Sequence, residues 1–368
     1  MTRIASPEPS PPQLERPGRQ SPRRVDGSEG LDVFLSGLLF FDIVFTGMDQ
    51  LPRPGAEVWT RGMGSGPGGV ANFAVALGRL GLRTGLAAAF GDDAYGAYCW
   101  DVLGEQEGVD LSRSRRFAGW HSPVTVSLAY DHDRAMITHG HEPPLPTDVL
   151  IGEPPASRAT VAHLGPTRQG WLERARALGS LVFATAGWDE ADRSPDAILA
   201  QLPLCHAFMP NAVEAMAYTR TDSPRAALAK LGDLVPVALI TRGGDGVLAI
   251  DATTGESADV AGLRAEVLDA TGAGDVFGAG FVAATLAGWP LVHRLRFANL
   301  GAALAVQQFG GALAAPGWSG VAAWWRTVRE AGPESAALRA DYAFLDDVIP
   351  ADVADEVHHA AATLGLAR

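Results

Sequence analysis

Lysine is almost absent from this chain of 368 residues. Lys230 is the only one, so nearly all of the 29 basic residues are arginine. A Walker A loop needs a lysine after its glycines, a protein kinase needs a strand lysine, and a pyridoxal phosphate enzyme needs a Schiff-base lysine. Lys230 lies in the sequence ALAKLG, a helical pattern that has none of these contexts. The sequence therefore excludes these three classes of protein.

Cysteine is also scarce, and basic clusters and long apolar runs are missing. Cys99 and Cys205 lie far apart, which argues against a disulfide framework or a structural zinc site. Acids outnumber bases 42 to 29, and the resulting charge of −13 disfavours nucleic-acid binding. The apolar run 33–41 is far shorter than the roughly 20 residues of a membrane helix, and no cleavage site follows it, so Arg23-Arg24 does not indicate export. We therefore expect a cytoplasmic protein that binds neither nucleic acid nor membranes.

Composition divides the chain into three parts. Residues 1–30 contain six prolines and almost no large apolar side chains, so we expect a disordered tail. From residue 31, short apolar runs alternate with helical patterns, which predicts an α/β domain over 31–330 with a mostly parallel sheet covered on both faces. Residues 331–368 have the pattern of a helical C-terminal appendage. The predicted strands are 33–36, 84–89, 124–129, 160–164, 181–185, 207–209, 237–241 and 247–250, with a lid hairpin formed by 124–129 and 135–138. The predicted helices are 70–80, 94–107, 167–178, 224–231, 275–287 and 291–309.

A first glycine-rich segment, 64–69 (GSGPGG), precedes the predicted apolar helix 70–80. It matches GxGxxG, which suggests a dinucleotide fingerprint, but the preceding residues make a poor buried strand and Pro67 lacks an N–H group. A second interpretation is a tight turn into the helix. In a third, Asn72 in the first helical turn points its amide donor and acceptor at a polyhydroxylated ligand. The residues alone leave these three interpretations open.

A second glycine-rich segment, 269–275 (DATGAGD), opens into the predicted helix 275–287. N–H groups of residues 271–274 can converge at the positive end of this helix and form an anion site. Asp275 at the helix start either complements the helix dipole or takes part in a reaction at the anion site. An anion site next to a carboxylate is what phosphoryl transfer to an alcohol needs, because the cradle stabilises charge and the carboxylate accepts the hydroxyl proton.

Several short motifs occur in a fixed order along the chain: GPGGVAN (66–72), ALGRLG (76–81), FGDDAYG (90–96), GVD (108–110), NAVE (211–214), TRGGDG (241–246) and DATGAGD (269–275). With these motifs in this order, the chain from residue 31 to about 318 resembles the ribokinase, or phosphofructokinase-B (pfkB), family of carbohydrate kinases. The resemblance implies a ribokinase-like three-layer α/β/α sandwich with a mostly parallel central sheet and a small β lid, here expected over about 52–66 and 119–141.

The resemblance also implies roles for individual residues. Asp275 would be the catalytic base, with Gly272, Ala273 and Gly274 as the anion hole. The sugar would be bound by Asp42, Gly68, Gly69 and Asn72. The nucleotide would be bordered by Asn211, Thr241, Gly243, Gly246 and Asn299. Glu214 would help to position Mg²⁺ through water, and Asp269, with the loop 310–312, would contribute to a monovalent-cation site of the kind that binds K⁺ in some family members.

ATP and Mg²⁺ are therefore the expected cofactors and a small sugar is the expected partner, with a homodimer through the lid as a further expectation. Three alternatives stay open: a nucleoside kinase of the same family, a Rossmann-type NAD-dependent oxidoreductase, and a sugar-binding homologue without turnover. Some family members carry a lysine where this chain has Gly69 or Val70. Trp120, His121, Trp188 and the pair His139 and His141 match no family motif.

Overall fold

The computed structural model describes residues 30–130, 133–187, 194–351, 353, 361 and 363–366. Residues 1–29, most of the predicted tail, lie outside this range, as does Trp188. The strands are β1 (Leu31–Ser36), β2 (Leu39–Thr46), β3 (Gly62–Gly69), β4 (Thr84–Ala87), β5 (Ala89–Gly91), β6 (Arg115–Phe117), β7 (Val124–Tyr130), β8 (Asp133–His139), β9 (Ser157–Leu164), β10 (Leu181–Ala186), β11 (Ala207–Phe208), β12 (Val237–Thr241), β13 (Val247–Asp251), β14 (Glu256–Val260) and β15 (Thr363–Leu366).

Twelve α-helices are found in the described part of the chain, together with short 3₁₀ and π segments. They are α1 (Val70–Arg79), α2 (Ala94–Trp100), α3 (Thr147–Ile151), α4 (Gly170–Ala177), α5 (Pro195–Leu199), α6 (Ala212–Thr219), α7 (Pro224–Gly232), α8 (Ala273–Leu286), α9 (Leu291–Ala305), α10 (Trp318–Glu330), α11 (Ala336–Tyr342) and α12 (Leu345–Val348). A π-helical segment, Asp101–Gln106, continues α2, and a 3₁₀ turn, Gly311–Ala314, follows α9.

The central sheet has eight strands in the order β14-β13-β12-β11-β10-β9-β1-β4. The pairings from β12 to β4 are parallel, and only β13 and β14 run antiparallel to their neighbours. Both faces are buried, as expected for parallel strands. In β1, Val33 and Leu35 pack with Phe73 of α1 on one face, whereas Phe34 packs with Trp171 of α4 on the other. The carboxyl ends of the parallel strands meet at one edge, the usual place for ligands in such sheets.

A second sheet of five strands, in the order β15-β3-β2-β7-β8, forms the lid. β7 and β8 form the hairpin that the sequence predicts, and β7 pairs in parallel with β2. The lid differs from its expected boundaries because β2 lies outside them and residues 52–61 contain no strand. The glycine-rich segment 64–69, expected to be a loop or a turn, is instead the last part of β3. The lid is therefore built from more distant parts of the chain than the sequence indicates.

The C-terminal part combines helices with one strand. Tyr342 and Leu345, from α11 and α12, pack with Trp325 and Leu300 and extend the helical layer around α9. After these helices, β15 pairs antiparallel with β3, with Thr363 opposite Ser65 and Leu366 opposite Gly62. The prediction of a helical appendage over 331–368 therefore needs a correction at Thr363–Leu366, because this strand extends the lid sheet at its β3 edge.

Candidate active site

The two glycine-rich motifs meet at a hydrogen bond between helix starts. Asn72, in the first turn of α1, donates from Nδ2 to Oδ2 of Asp275, in the first turn of α8, over 2.7 Å. Both helices begin after a glycine with a positive φ, 62° at Gly69 and 75° at Gly272. A side chain at either position would be strained, so glycine allows both abrupt helix starts. Residues 203 positions apart in sequence thus share one site.

Small residues along α8 explain why the two helix starts approach so closely. A Cβ atom added at Gly278 would lie 2.5 Å from Phe73 Cζ, and one at Gly280 would lie 3.1 Å from Ala298 Cα. Because glycine has no side chain at these points, α8 packs directly against α1 and α9. The Phe73–Gly278 contact lies just beyond the Asn72–Asp275 hydrogen bond and sets the spacing of the two helices there.

The N-terminus of α8 has the properties expected of an anion site. Its first N–H groups have no carbonyl partner within the helix, and the helix dipole adds positive potential at this end. A Cβ atom added at Gly274 would meet nothing within 4 Å, so the space beside the first turn is open. Ala273 and Gly274 are the first two residues of this 14-residue helix, and Gly272 is its N-cap. The structure thus brings the predicted anion-hole residues together beside Asp275.

The predicted sugar-binding residues converge on the same place. Asp42 is buried on β2, and a Cβ atom at Gly68 would lie 1.8 Å from its Oδ2 atom, so only glycine leaves room for this carboxylate. The Cβ position of Gly311 lies 3.5 Å from Asn72 Oδ1 and 3.8 Å from Asp42 Oδ2. Asn72 is 4% exposed, and its Oδ1 atom and the Thr271 hydroxyl are buried and have no hydrogen-bond partner among the described residues. Unpaired buried polar atoms are costly, so this cluster fits a polar ligand.

Asp269 connects the second motif to the loop after α9. Its Oδ1 atom accepts a hydrogen bond from the Thr271 N–H over 2.9 Å, and its Oδ2 atom accepts one from the Gly310 N–H over 3.4 Å. The carboxylate is buried. It therefore fixes both the turn before α8 and the loop 310–312, the two segments that the sequence associates with a monovalent cation.

Asn211 and Glu214 form a reciprocal capping box at the start of α6. The Asn211 side chain accepts from the Glu214 N–H over 2.9 Å, and the Glu214 carboxylate accepts from the Asn211 N–H over 3.0 Å. Asn211 is thus the N-cap of α6, and Glu214 is in its first turn. Asn211 also forms a β-bridge with Thr241 at the end of β12. These three residues lie together at the carboxyl edge of the sheet.

The remaining nucleotide-side residues surround the segment 260–262. A Cβ atom at Gly246, with φ 87°, would lie 2.0 Å from the Val260 carbonyl oxygen, so this position requires glycine. Asn299 is buried on α9 and donates to the carbonyl of Ala261 over 3.1 Å. Gly243, with φ 56°, begins the short turn that leads to Gly246. The structure therefore groups Gly246 and Asn299 around the same backbone segment.

The comparisons with known proteins agree with this geometry. A family model described as pfkB family carbohydrate kinase matches residues 50–317. The chain belongs to this family. It is therefore a carbohydrate kinase, a phosphotransferase with an alcohol group as acceptor, as the motif order predicts.

Individual proteins similar to this pfkB-family kinase are also kinases, by sequence or by structure. The chain is 28% identical over 298 residues to a nucleoside kinase of Methanothermobacter thermautotrophicus. This match covers 77% of the chain and 92% of that protein. It is 22% identical, with a TM-score of 0.66, to the ribokinase of Arabidopsis thaliana complexed with ribose and ATP, covering 80% of this chain and 98% of that one. A putative ribokinase II from E. coli in complex with ATP and Mg²⁺ is also 22% identical, with a TM-score of 0.65 and coverages of 77% and 94%. The structural likeness confirms the ribokinase-like α/β fold.

The dinucleotide interpretation of residues 64–69 is wrong for this pfkB-family kinase. A Rossmann fingerprint follows a parallel strand of the main sheet and opens a helix. Here the segment belongs to β3, which pairs antiparallel with β2 and β15 in the lid. Its glycines therefore allow neighbouring groups to approach the backbone closely, most clearly at Gly68, which lies against the Asp42 carboxylate.

Sequence reasoning missed a polar row on the lid of the kinase. Asp42 on β2 is opposite Thr125 on β7, which is opposite Thr138 on β8. The Thr125 and Thr138 hydroxyl oxygens lie 3.0 Å apart, and Thr125 is buried. Residues directly opposite each other share a sheet face, so this row continues the Asp42 face of the lid. The alternation of polar and apolar residues in 124–128 (VTVSL) is the signal that could have revealed it.

Four of the residues without a family motif, Trp120, His121, His139 and His141, belong to the edge of the lid. His121, His139 and His141 stack edge to face, with centroid distances of 5.8 and 5.2 Å, and the Trp120 indole donates to the Glu142 carbonyl over 3.1 Å. Among the residues that the structure describes, no group of three or more histidine, cysteine, aspartate or glutamate residues is arranged to hold a metal ion. In the same part of the chain, no helix combines the length and apolar character needed to cross a bilayer.

Proposed function

We propose that this protein transfers the γ-phosphoryl group of ATP to a hydroxyl group of a sugar or sugar-like substrate. Asp275 would be the general base, and the backbone of Gly272, Ala273 and Gly274 would be the anion hole. The observation that carries this proposal is the 2.7 Å hydrogen bond from Asn72 to Asp275. It joins the carboxylate of one motif to the sugar-binding amide of the other, directly beside the N-terminus of α8.

The chemistry follows from this arrangement. The acceptor oxygen forms a bond to the γ-phosphorus while the bond to the ADP oxygen breaks, and the hydroxyl proton passes to the Asp275 carboxylate. The N–H groups at the start of α8 stabilise negative charge on the transferred group. Asn72 orients the carboxylate through Oδ2, which keeps the base at a fixed position relative to those N–H groups.

The polar atoms around Asn72 support the proposed substrate class. Asn72 Oδ1 and Thr271 Oγ1 are buried and have no partner in the part of the chain that the structure describes, and the Cβ position of Gly311 lies within 4 Å of both Asn72 Oδ1 and Asp42 Oδ2. An acceptor amide oxygen and a buried carboxylate both fit substrate hydroxyl donors. Asp42, Gly68, Gly69 and Asn72 are therefore proposed to bind a polyhydroxylated substrate, with the lid closing over it and excluding water.

The nucleotide would lie along Asn211, Thr241, Gly243, Gly246 and Asn299. Mg²⁺, when bound with ATP, neutralises phosphate charge, and it usually keeps several waters and takes only one or two protein carboxylates. The capping box holds Glu214 in one orientation at this edge, which fits a water-mediated role. Asp269 and the loop 310–312 are proposed to support a K⁺ site, which equal rates in K⁺ and in a large organic cation would disprove.

A nucleoside is the second candidate substrate, because a relative covering most of this chain is a nucleoside kinase. A panel of sugars, sugar acids and nucleosides with MgATP, scored by ADP release, separates the two. A sugar-binding homologue without turnover would release no ADP with any of them.

The test of the base is Asp275→Asn, with Asp222→Asn as the control because Asp222 is an exposed aspartate outside both motifs. General-base catalysis contributes about 10²–10⁴-fold, so kcat should fall at least about a hundredfold. ATP affinity and the melting temperature should change little, because asparagine is nearly isosteric and still accepts from Asn72. A folded Asp275→Asn enzyme that keeps more than about a third of wild-type kcat would disprove the assignment.

The outer face of the lid supports a proposal about assembly. Ile43 and Val126, opposite each other on β2 and β7, are half-buried, and Ile137 on β8 is 67% exposed. We propose that a second copy covers this apolar face. Light scattering that gives a monomer at micromolar concentration would contradict this. We also predict that the protein is located in the cytoplasm.

A further inference from the structure

A buried arginine next to the site has no role in the reaction proposed above. Arg79 ends α1, the helix whose first turn contains Asn72, and its side chain is 6% exposed. Its Nε and Nη2 atoms donate to the two carboxylate oxygens of Glu107 over 3.0 and 2.8 Å. The Glu107 side chain is 1% exposed. This two-point contact fixes the plane of the guanidinium, because both the donors and the acceptors are rigid forks.

The fixed guanidinium points its remaining nitrogen at the loop that borders the site. Arg79 Nη1 donates to the carbonyl oxygens of Leu313 and Ala315 over 3.0 and 2.7 Å. These carbonyls lie at the end of the 3₁₀ turn Gly311–Ala314 and just after it. Charge-assisted hydrogen bonds are about twice as strong as neutral ones, so Arg79 is a strong anchor for this end of the loop.

The other end of the loop lies at the substrate cluster. The Gly310 N–H donates to Asp269, and the Cβ position of Gly311 is 3.5 Å from Asn72 Oδ1 and 3.8 Å from Asp42 Oδ2. The loop is thus held by Asp269 where it meets the site and by Arg79 where it leaves. Any displacement of its far end changes the wall that Gly311 forms beside Asn72.

We propose that Arg79 is a positioning residue that sets the loop 310–315 against Asn72 and so determines affinity for the acceptor substrate. This inference rests on the proposed role of Asn72 and Asp42 in binding that substrate. Glu107 contributes by orienting the guanidinium. Lysine cannot replace arginine here, because one ammonium group lacks the planar fork that reaches a carboxylate and two carbonyls at once.

The test compares Arg79→Lys with Arg294→Lys. Arg294 forms a second buried arginine pair, 2.9 Å from Asp251, with side chains 8% and 0% exposed. Both variants should lower the melting temperature. Only Arg79→Lys should raise the acceptor KM, by at least about tenfold, because small displacements at a substrate site are costly. It should also lower kcat less than it raises KM, and Glu107→Gln should have a smaller effect of the same kind.

Amide hydrogen exchange over residues 310–315 gives a readout that needs no substrate. Exchange there should speed up in Arg79→Lys and not in Arg294→Lys. Unchanged exchange, or an acceptor KM within twofold of wild type, overturns the inference. If the wild-type enzyme phosphorylates no acceptor, the proposed function fails, and exchange together with acceptor binding by calorimetry then decides the role of Arg79.

Discussion

Replacing Asn72 with aspartate tests the hydrogen bond at the centre of the site. The change is isosteric, but it puts a second carboxylate 2.7 Å from the Asp275 oxygen, where an amide donor now lies. Two carboxylates at such a distance share a proton, since both cannot be ionised without strong repulsion. Asp275 would then be protonated over part of the pH range in which the wild-type enzyme works, and a protonated base cannot accept the hydroxyl proton.

The size of the effect follows from the geometry. At the observed separation of 2.7 Å, two unit charges repel by about 6 kcal/mol with an effective dielectric constant of about 20. Asp275 is half-buried, so water screens part of this repulsion. If roughly half of this repulsion energy remains after screening, the acid limb of the kcat profile should move up by about two pH units, because one pKa unit corresponds to about 1.4 kcal/mol. Activity that this variant loses in mildly acidic buffer, where the wild-type enzyme still works, should therefore return as the pH rises.

The assay is ADP release at saturating acceptor and MgATP across the pH range, with wild type measured in the same buffers. Asn72→Leu is the matched control, because it removes the donor without adding a charge and should lower kcat while moving the acid limb less than half as far. A folded Asn72→Asp enzyme with a wild-type pH profile would refute the role of Asp275 as a base that Asn72 orients. Equal shifts in both variants would show that the added charge is not the cause.

Two further predictions concern the lid and its support. Gly68→Ala puts a Cβ atom 1.8 Å from Asp42 Oδ2 and must displace that carboxylate, so acceptor KM should rise at least about tenfold. Gly66→Ala, which meets the flexible Leu313 side chain at 3.2 Å, is its control, and equal KM values for the two variants would contradict the argument. Burial alone would raise the pKa of Asp93, but hydrogen bonds from Gly96 and Ser122 lower it below its usual 3.8. The stability that the ionised Asp93 carboxylate contributes is present above pH 3.8 and is lost as the pH falls below this value. The difference in melting temperature between wild type and Asp93→Asn should therefore shrink in acid. A difference that stays constant with pH would contradict this role of Asp93.

The central sheet was predictable because its strands are buried on both faces. The apolar runs 237–241 and 247–250 stand out against their surroundings, and the structure has strands at Val237–Thr241 and Val247–Asp251. The lid was harder to predict. β3 has five glycines among eight residues and no alternating apolar side chains, so its pairing with β2 has no pattern to reveal it. Its strand conformation depends on neighbours from other parts of the chain.

Some features of the candidate site could be predicted from the sequence and others could not. Asn72 and Asp275 are recognisable in their motifs, but nothing in the sequence specifies the hydrogen bond between them, because it depends on the packing of α1 against α8. The capping role of Asn211 has a sequence signature, an asparagine followed three residues later by a glutamate. The contact of Arg79 with the Leu313 and Ala315 carbonyls has none, because backbone acceptors are the same at every position.

The long-range pairing of β15 with β3 has a consequence for the order of folding. It joins residues about 300 positions apart, and the lid as a whole collects strands from four separate stretches of the chain. Contacts between distant residues form slowly, because the entropy of closing the intervening loop opposes them until other contacts are made. We expect the helices and the parallel sheet to form before the lid sheet is complete. A refolding enzyme should therefore regain its helical circular dichroism before it regains the ability to hold a substrate.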